Sequence, residues 1–459
     1  MRVVLVCWSL FAFVASDISA SPRRDPIEEV REILTERMGT SVALEHTNDA
    51  TALQGNARSL LTEELTVERA VQVALLNNRG LQATLRELGM SQAEFDQALL
   101  LKNPVVHGEV RFPGRPLEIG LSQDVTDVFL RPLRKRVAAA HVRKARLSVA
   151  QSVLDLAAVV RSAFYSLQAA TQALAMSAEI AEASRASAEL AQRQHLAGNT
   201  SALTLESSEA IYDEARLDLA QRKVETVAAR EQLNRLMGGV GAEADWRVAH
   251  HLPDLPEQEP SVEGMESLAL THRLDLAASE AEALAGREGV PLARSGRWPS
   301  LSLGVHLERE PEGNRTIGPS LEISLPLFDR GQAVTAGARA RLEQSLDRRA
   351  ALEVDVRSDV RSAHAHLSAA REKLLYYRDV VIPRRERSVA ETPREYNFML
   401  VGVYQLVQAK REEIQARSAH IEAQRDYWLA RTELEHAVGG RLDNDKVPQA
   451  MGEPTEVVP

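Results

Sequence analysis

WPSLSLGVHLEREPEGNRTIGPSLEISLPLFD, residues Trp298–Asp329, is the stretch that decides the fold. Leu301, Leu303, Val305 and Leu307 alternate with Ser302, Gly304, His306 and Glu308. After a turn-rich connection, Leu321, Ile323 and Leu325 alternate with Ser320, Glu322 and Ser324. A period of two marks a strand with one apolar and one polar face. Two such runs around a Pro/Gly/Asn loop predict a hairpin, with strands at about 299–308 and 317–327. Trp298 and Phe328 fall at the same end of it, where an aromatic belt lies in a membrane strand.

A second hairpin lies about 200 residues earlier. Val106, Gly108, Val110 and Phe112 oppose His107, Glu109 and Arg111, and Leu117, Ile119 and Leu121 oppose Glu118, Gly120 and Ser122. The predicted strands are about 104–112 and 116–125. The two hairpins belong to a duplication. Ala74-Leu75 matches Ala269-Leu270 and Pro104 matches Pro299, both at an offset of 195. VRSAFYSLQAA (Val160–Ala170) matches VRSAHAHLSAA (Val360–Ala370) at 200, with seven of eleven residues identical. Gly238-Gly239 matches Gly439-Gly440 at 201. The units are repeat 1, residues 63–239, and repeat 2, residues 262–440, joined by a Pro-rich linker at 240–261 and followed by a tail at 441–459.

After each hairpin the sequence predicts a long helical pair, about 133–197 with 202–236 and about 338–400 with 404–438. Leu133 to Ala197 contains neither Gly nor Pro. Val149, Val153, Leu156, Val160, Ala163, Leu167, Ala170 and Leu174 step by alternating fours and threes, the seam of a coiled coil. In the last helix Leu400, Val407, Ile414, Ile421 and Trp428 recur every seven residues. Pro383 and Pro393 interrupt the outgoing helix of repeat 2, where each is expected to break or kink it.

The 459 residues carry a net charge of −10 from 55 basic and 65 acidic side chains, a balance that gives no reason to expect nucleic acid as a partner. Arg2 followed by the apolar run Val3–Ala15 reads as a secretory signal peptide, 1–20, ahead of a weakly patterned segment, 21–62. The only cysteine, Cys7, lies inside that run, so no thiol, disulfide or lipid anchor is expected in the mature chain. No later run is long and apolar enough to predict a spanning helix.

Four strands of bilayer-spanning length cannot close a barrel, and an open edge cannot stand in lipid. Several chains must pool their hairpins if these lie in a membrane. His107, Glu109, Arg111, Ser302, His306, Glu308 and Glu322 would then line a wet lumen.

The chain resembles the TolC-type outer membrane factors, and most closely their heavy-metal and cation efflux branch. The resemblance rests on KNP (Lys102–Pro104), LEIGLSQDV (Leu117–Val125) and VRSAFYSLQAA. In repeat 2 it rests on RWPSLSLGV (Arg297–Val305), SLPLFDRGQ (Ser324–Gln332) and YNFMLVGVYQLVQAKRE (Tyr396–Glu412). It implies a mainly α chain whose four strands join those of two other copies in a twelve-stranded membrane β-barrel continued by an α-helical barrel. It also implies a homotrimer in the outer membrane, a periplasmic adaptor, and an inner-membrane pump of the RND type. The duct would pass heavy-metal cations or small toxic compounds without enzymatic work.

By position, Ala197, Gly198 and Asn199 with Val401, Gly402 and Val403 resemble the tip that docks the adaptor; the glycines also serve simply as helix caps. Pro383, Pro393, Arg394, Glu395 and Tyr404 are gate candidates beside it. No motif supports catalysis, and no cofactor or metal site is expected: there is no HExxH or phosphate-cradling loop, and His364 and His366 are two apart on a helix. Seven basic residues between Arg131 and Arg146, with no acid among them, form either a solvated face or a contact with lipid phosphates. Two other functions fit less of the pattern: the duct of a type I protein secretion system, and a soluble periplasmic coiled-coil scaffold or adaptor.

Overall fold

The computed structural model describes residues 25–39, 60–61, 64–110, 112, 117–239, 246–256, 259, 264–309, 313–398 and 403–442. Residues 1–20, where a signal peptide is expected, most of 21–62, Arg111, Val401, Gly402 and the residues beyond Leu442 lie outside them.

A short helix, α1 (Pro26–Met38), comes first, with Asp25 as N-cap and proline in its first turn. Repeat 1 then runs α2 (Val67–Asn77), α3 (Arg79–Leu99), β1 (Val105–Val110), β2 (Leu117–Asp124), α4 (Thr126–Leu196) and α5 (Ala202–Leu236). Repeat 2 runs α6 (Met265–His272), α7 (Leu274–Arg294), β3 (Ser300–Arg309), β4 (Arg315–Ser324), α8 (Gln332–Tyr376), a π-helical turn (Tyr377–Val381), α9 (Ile382–Asn397) and α10 (Val403–Val438). Each repeat is therefore two short helices, a hairpin and a long helical pair. The starts are capped as the side chains dictate: Thr66, Asn78 and Ser201 each accept a hydrogen bond from the backbone N–H three residues on.

The α4 helix spans 71 residues. At ~1.5 Å per residue that is about 100 Å. It starts at Thr126, not near 133, because Pro132 lies in its second turn and is carried inside the helix. α8 likewise starts at Gln332, six residues before the expected 338. β4 ends at Ser324, short of the expected 327, because the chain turns at Leu325–Leu327 through a hydrogen bond two residues apart.

Two apolar cores hold the helical part. The larger packs α1, α2, α3 and α7 against α4; Val149, Val153, Val160, Ala163 and Leu167 of the predicted seam are buried in it. The smaller packs α6 and α10 on α8 through Val356, Val360, Ala363, Leu367, Ala423, Tyr427 and Leu434. The seven-step row of the last helix is not the seam of its own pair. Ile421 sits in the larger core, and Trp428 stacks on Tyr165 of α4 at 5.1 Å. Ile421 and Trp428 thus meet the other repeat, Trp428 packing on both cores, while Ala416, Ala423, Ala430 and Leu434 form the buried stripes.

Neither proline ends its helix. Ile382 N–H bonds to the Tyr377 carbonyl, five residues back, in the turn just before Pro383. Widening that turn absorbs the missing N–H, the established use of a π-bulge. Pro393 lies inside α9.

The stretch 240–261 is more than a linker. Among its described residues, Trp246 is buried under Arg230, Val248 bridges to Leu65 in parallel, and Leu252 is buried. Glu259 accepts hydrogen bonds from Arg371 (2.7 Å) and Tyr427, tying the connection to both helices of the second pair.

Candidate functional site: a sheet with two unshared edges and a long helical tip

The four strands form one antiparallel sheet in the order β1-β2-β3-β4, so β2 pairs β3 across the repeats and β1 and β4 are the outer strands. Its register sets whole rows on one face. His107, Gly120, His306 and Gly318 are in register across all four strands. One row along lie Glu109, Glu118, Glu308 and Thr316; near the helical end lie Asp124, Ser302 and Glu322. The sheet thus brings His107, Glu109, Ser302, His306, Glu308 and Glu322 to one face. Arg111 lies outside the described residues. The other face carries Val106, Leu121 and Val305, then Ile119, Leu307 and Ile317, then Leu303 and Leu321. Ile317, Leu321 and Ile323 remain largely exposed, so within one chain this apolar face is uncovered.

The polar face has a feature that sequence reading missed. The His107 ring lies over Gly120 so closely that a Cβ there would fall 2.1 Å from it. The His306 ring covers Gly318 in the same way, at 3.1 Å. Each repeat therefore seats a histidine on a cross-strand glycine. The signal was present as paired His and Gly positions in the two hairpins, but only the register makes them neighbours.

At the far end of the long helices, Gly198 adopts φ +75° between Ala197 and Asn199. Asn199 N–H reaches back to the Gln194 carbonyl at 2.8 Å, closing the turn. Leu196 and Leu203 flank it and are 80% and 76% exposed. Of the second tip, Phe398 is 77% exposed; Val401 and Gly402 lie outside the described residues, as do the side chains of Val403 and Tyr404.

The gate candidates are not gathered into one site. Arg394 bonds to Glu391 on its own helix at 2.9 Å rather than across the pair, and Glu395 is exposed. The bonds between α9 and α10 come from residues that the sequence reading passed over: Arg385 with Glu412, and Arg417 with Glu386 at 2.8 Å. Glu413 is buried between Lys410 (2.5 Å) and Arg417 (3.0 Å). Burial pushes its carboxyl up, but the two cations outweigh this and hold it below the usual carboxylate range.

Between these ends the repeats are locked together. Arg161 of α4 meets Glu435 of α10 at 3.1 Å, and Asp155 meets His436 at 2.7 Å. Burial pushes the Glu435 carboxyl up against the pull of Arg161 and Arg431. Tyr165 is pushed up to about 12 by burial and by Glu435.

The basic run on α4 is largely used internally. Arg134 pairs Asp127, Arg136 pairs Glu288, Lys144 pairs Glu282 and Arg146 pairs Glu29. By length and composition α4 also holds a window apolar enough to span a membrane, but half of that window is buried against other helices. Its apolarity is accounted for by the core. Among the described residues no group of three or more His, Cys, Asp and Glu side chains is disposed to hold a metal ion.

A protomer with an uncovered apolar sheet face at one end and paired helices of this length below it belongs to the class of channel-forming efflux proteins. The model of the outer membrane efflux protein family matches residues 117–239 and 266–440, and the chain belongs to that family. It is 24% identical over 418 residues to the cobalt-zinc-cadmium resistance protein CzcC of Cupriavidus metallidurans, covering 88% of this chain and 98% of that one. It is 23% identical over 303 residues to the cation efflux system protein CusC of Escherichia coli, covering 61% and 66%. Among solved structures, a membrane protein of Pseudomonas aeruginosa superposes with a TM-score of 0.71 at 19% identity, covering 88% of this chain and all of that one. A structure of CusC superposes at 0.68, with 19% identity and coverage of 88% and 97%. The fold is that of these channels.

Proposed function

We propose that three copies of this chain close a twelve-stranded barrel in the outer membrane, β1 of each pairing with β4 of the next, and that the long helices continue the duct into the periplasm. The observation that carries this reading is the sheet: apolar on one face, polar on the other, with an outer strand at each side. Strands of nine to eleven residues suit a bilayer, and β3 and β4 have ten each. The apolar face then meets lipid, and His107, Glu109, Arg111, Ser302, His306, Glu308 and Glu322 meet water in the lumen.

The duct is passive and performs no catalysis. An inner-membrane pump of the RND type supplies the energy, and a periplasmic adaptor joins the two at the tip formed by Ala197–Asn199 and Val401–Val403. The gate lies above that tip, along the stretch that holds Pro383 with its π-helical turn, Pro393, Arg394 and Glu395, and across from it Tyr404, without these residues forming a single cluster. Trp298 and Phe328 form the aromatic belt. The leader at 1–20 directs export, and the mature chain carries no lipid. Cargo is a heavy-metal cation, in line with the names of the relatives CzcC and CusC.

A strain lacking the gene, tested on a panel of metals and drugs, separates the cargo classes. Sensitivity to zinc, cobalt, cadmium, copper or silver alone supports the metal reading; sensitivity to drugs alone overturns it. Gly402→Asp is expected to abolish efflux while trimer and membrane insertion persist. Full efflux by that variant would remove the tip assignment.

A further inference from the structure

An antiparallel sheet brings the residues before β1 and β3 and after β2 and β4 to one level. At that level the acids are already engaged. Asp124 bonds Lys102 at 2.9 Å, Asp127 is buried against Arg134, and Asp329 accepts the Gly331 N–H at 2.9 Å. Two of the arginines here flank the strand ends themselves. Among the described residues neither Arg297 nor Arg330 makes an ion pair, and both are exposed.

Their positions are fixed by a crossing of backbones. A Cβ at Gly296 would lie 3.5 Å from Gly331 Cα, and one at Gly331 would lie 3.4 Å from Gly296 Cα. The strand-entry and strand-exit segments therefore touch at two glycines, and Arg297 and Arg330 are the residues flanking that contact on the sheet side. Trp298, 57% exposed, and Phe328, 93% exposed, are their near neighbours in the chain. Two guanidinium groups without carboxylate partners, beside aromatic rings and at the border of an apolar sheet face, have the chemistry of a phosphate site at a membrane surface.

We propose that Arg297 and Arg330 form a binding site for the headgroup phosphate of an anionic phospholipid in the periplasm-facing leaflet. In a closed barrel the site would recur once per copy and form a basic collar. This rests on the reading of the sheet as the membrane-embedded part, and the test separates the two ideas.

Trp298 is the probe: Trp246 and Trp428 lie in the helical body, and Trp8 lies in the leader segment. The mature protein, without the leader that carries Trp8, is reconstituted in mixed vesicles in which either phosphatidylglycerol or phosphatidylcholine carries brominated acyl chains, with Trp298→Phe defining the part of the quenching that belongs to this residue. The expected result is quenching by both lipids, with phosphatidylglycerol preferred about fivefold per engaged arginine at low salt. The preference should fall toward unity in Arg297→Gln/Arg330→Gln and at ~1 M salt, where screening reaches about 3 Å. Arg193→Gln, the loss of one positive charge at the far tip, should leave it intact, and each single substitution, Arg297→Gln or Arg330→Gln, should lower it. Equal quenching by the two lipids, or a preference that survives the double substitution, overturns the phosphate site while leaving the barrel standing. No quenching of Trp298 by either lipid overturns the membrane reading itself.

Discussion

The two repeats solve one packing problem with different residues. In repeat 1 the helix stop Gly238, at φ +78°, presses on the α2–α3 junction; a Cβ there would fall 2.4 Å from the Asn77 carbonyl oxygen. In repeat 2 Gly439, at φ +87°, presses on the α6–α7 junction, with 3.1 Å to Arg273 Cα. Asn78 then donates to the Leu236 carbonyl at 2.9 Å, and Arg273, its counterpart, reaches the Ala437 carbonyl at 3.5 Å and pairs with Asp275 and Asp359 as well. The contact has been kept while its chemistry has changed from a neutral amide to a charged fork. The long helices diverge more. α4 runs unbroken for 71 residues, whereas its counterpart is divided by the π-helical turn before Pro383. The unbroken helix sits in repeat 1 and the π-helical turn in repeat 2.

That comparison breaks most sharply at the glycines. Gly238→Ala adds left-handed strain of about 1–2 kcal/mol to a backbone collision, and should cost several kcal/mol or prevent assembly. Gly439→Ala, with more room, should cost distinctly less. Thermal melts and the yield of assembled protein from the membrane fraction measure both, and equal effects would mean that the two stops are not under different steric load.

Next comes the lock between repeats. Arg161→Ala leaves the half-buried Glu435 without its nearest cation, which should cost about 2 kcal/mol, less than the loss of one partner from a fully buried pair. Charge should matter more than shape here, so Arg161→Lys is expected to recover part of the loss in chemical denaturation.

A smaller effect is expected at Pro383→Ala. Restoring the missing N–H allows α8 and α9 to join as one α-helix, which should stiffen the inner pair and lower the open probability of single channels in planar bilayers. An unchanged open probability would separate the π-helical turn from gating.

The smallest effect is at Asp155. Burial alone would raise its carboxyl, but hydrogen bonds from His436 and Gln151 outweigh this and hold it below the usual range. A lowered carboxyl adds stability above its unfolded value, and this is lost as pH falls through the folded one. The melting temperature of Asp155→Asn should therefore fall less than that of the parent between about pH 5 and pH 3.

The sequence made the hairpins plain because a period of two is local: Leu301–Leu307 and Leu321–Leu325 need no partner to be read. The α4 seam was legible for the same reason. What escaped it depends on distant contacts. Nothing near Gly238 announces Asn77, and nothing near Glu259 announces Tyr427. The row ending in Trp428 was visible as a period, but the contact of Ile421 and Trp428 with the other repeat was not. Pro383 was seen as a break because a lone proline argues for one; its rescue by one wide turn depends on where the rest of the helix is held. At the site, the polar alternation placed six lumen candidates on one face, while the histidine-on-glycine seats needed the strand register.

The outer strands β1 and β4 also have a genetic consequence. In the proposed assembly each edge is completed by a neighbour, so a chain with a spoiled edge disables two intact partners along with itself. When spoiled and normal copies mix at random, the share of sound ducts falls as the cube of the normal fraction. An edge-strand proline that leaves folding of the helical body intact should then act as a dominant poison, while a null allele of the same gene stays recessive.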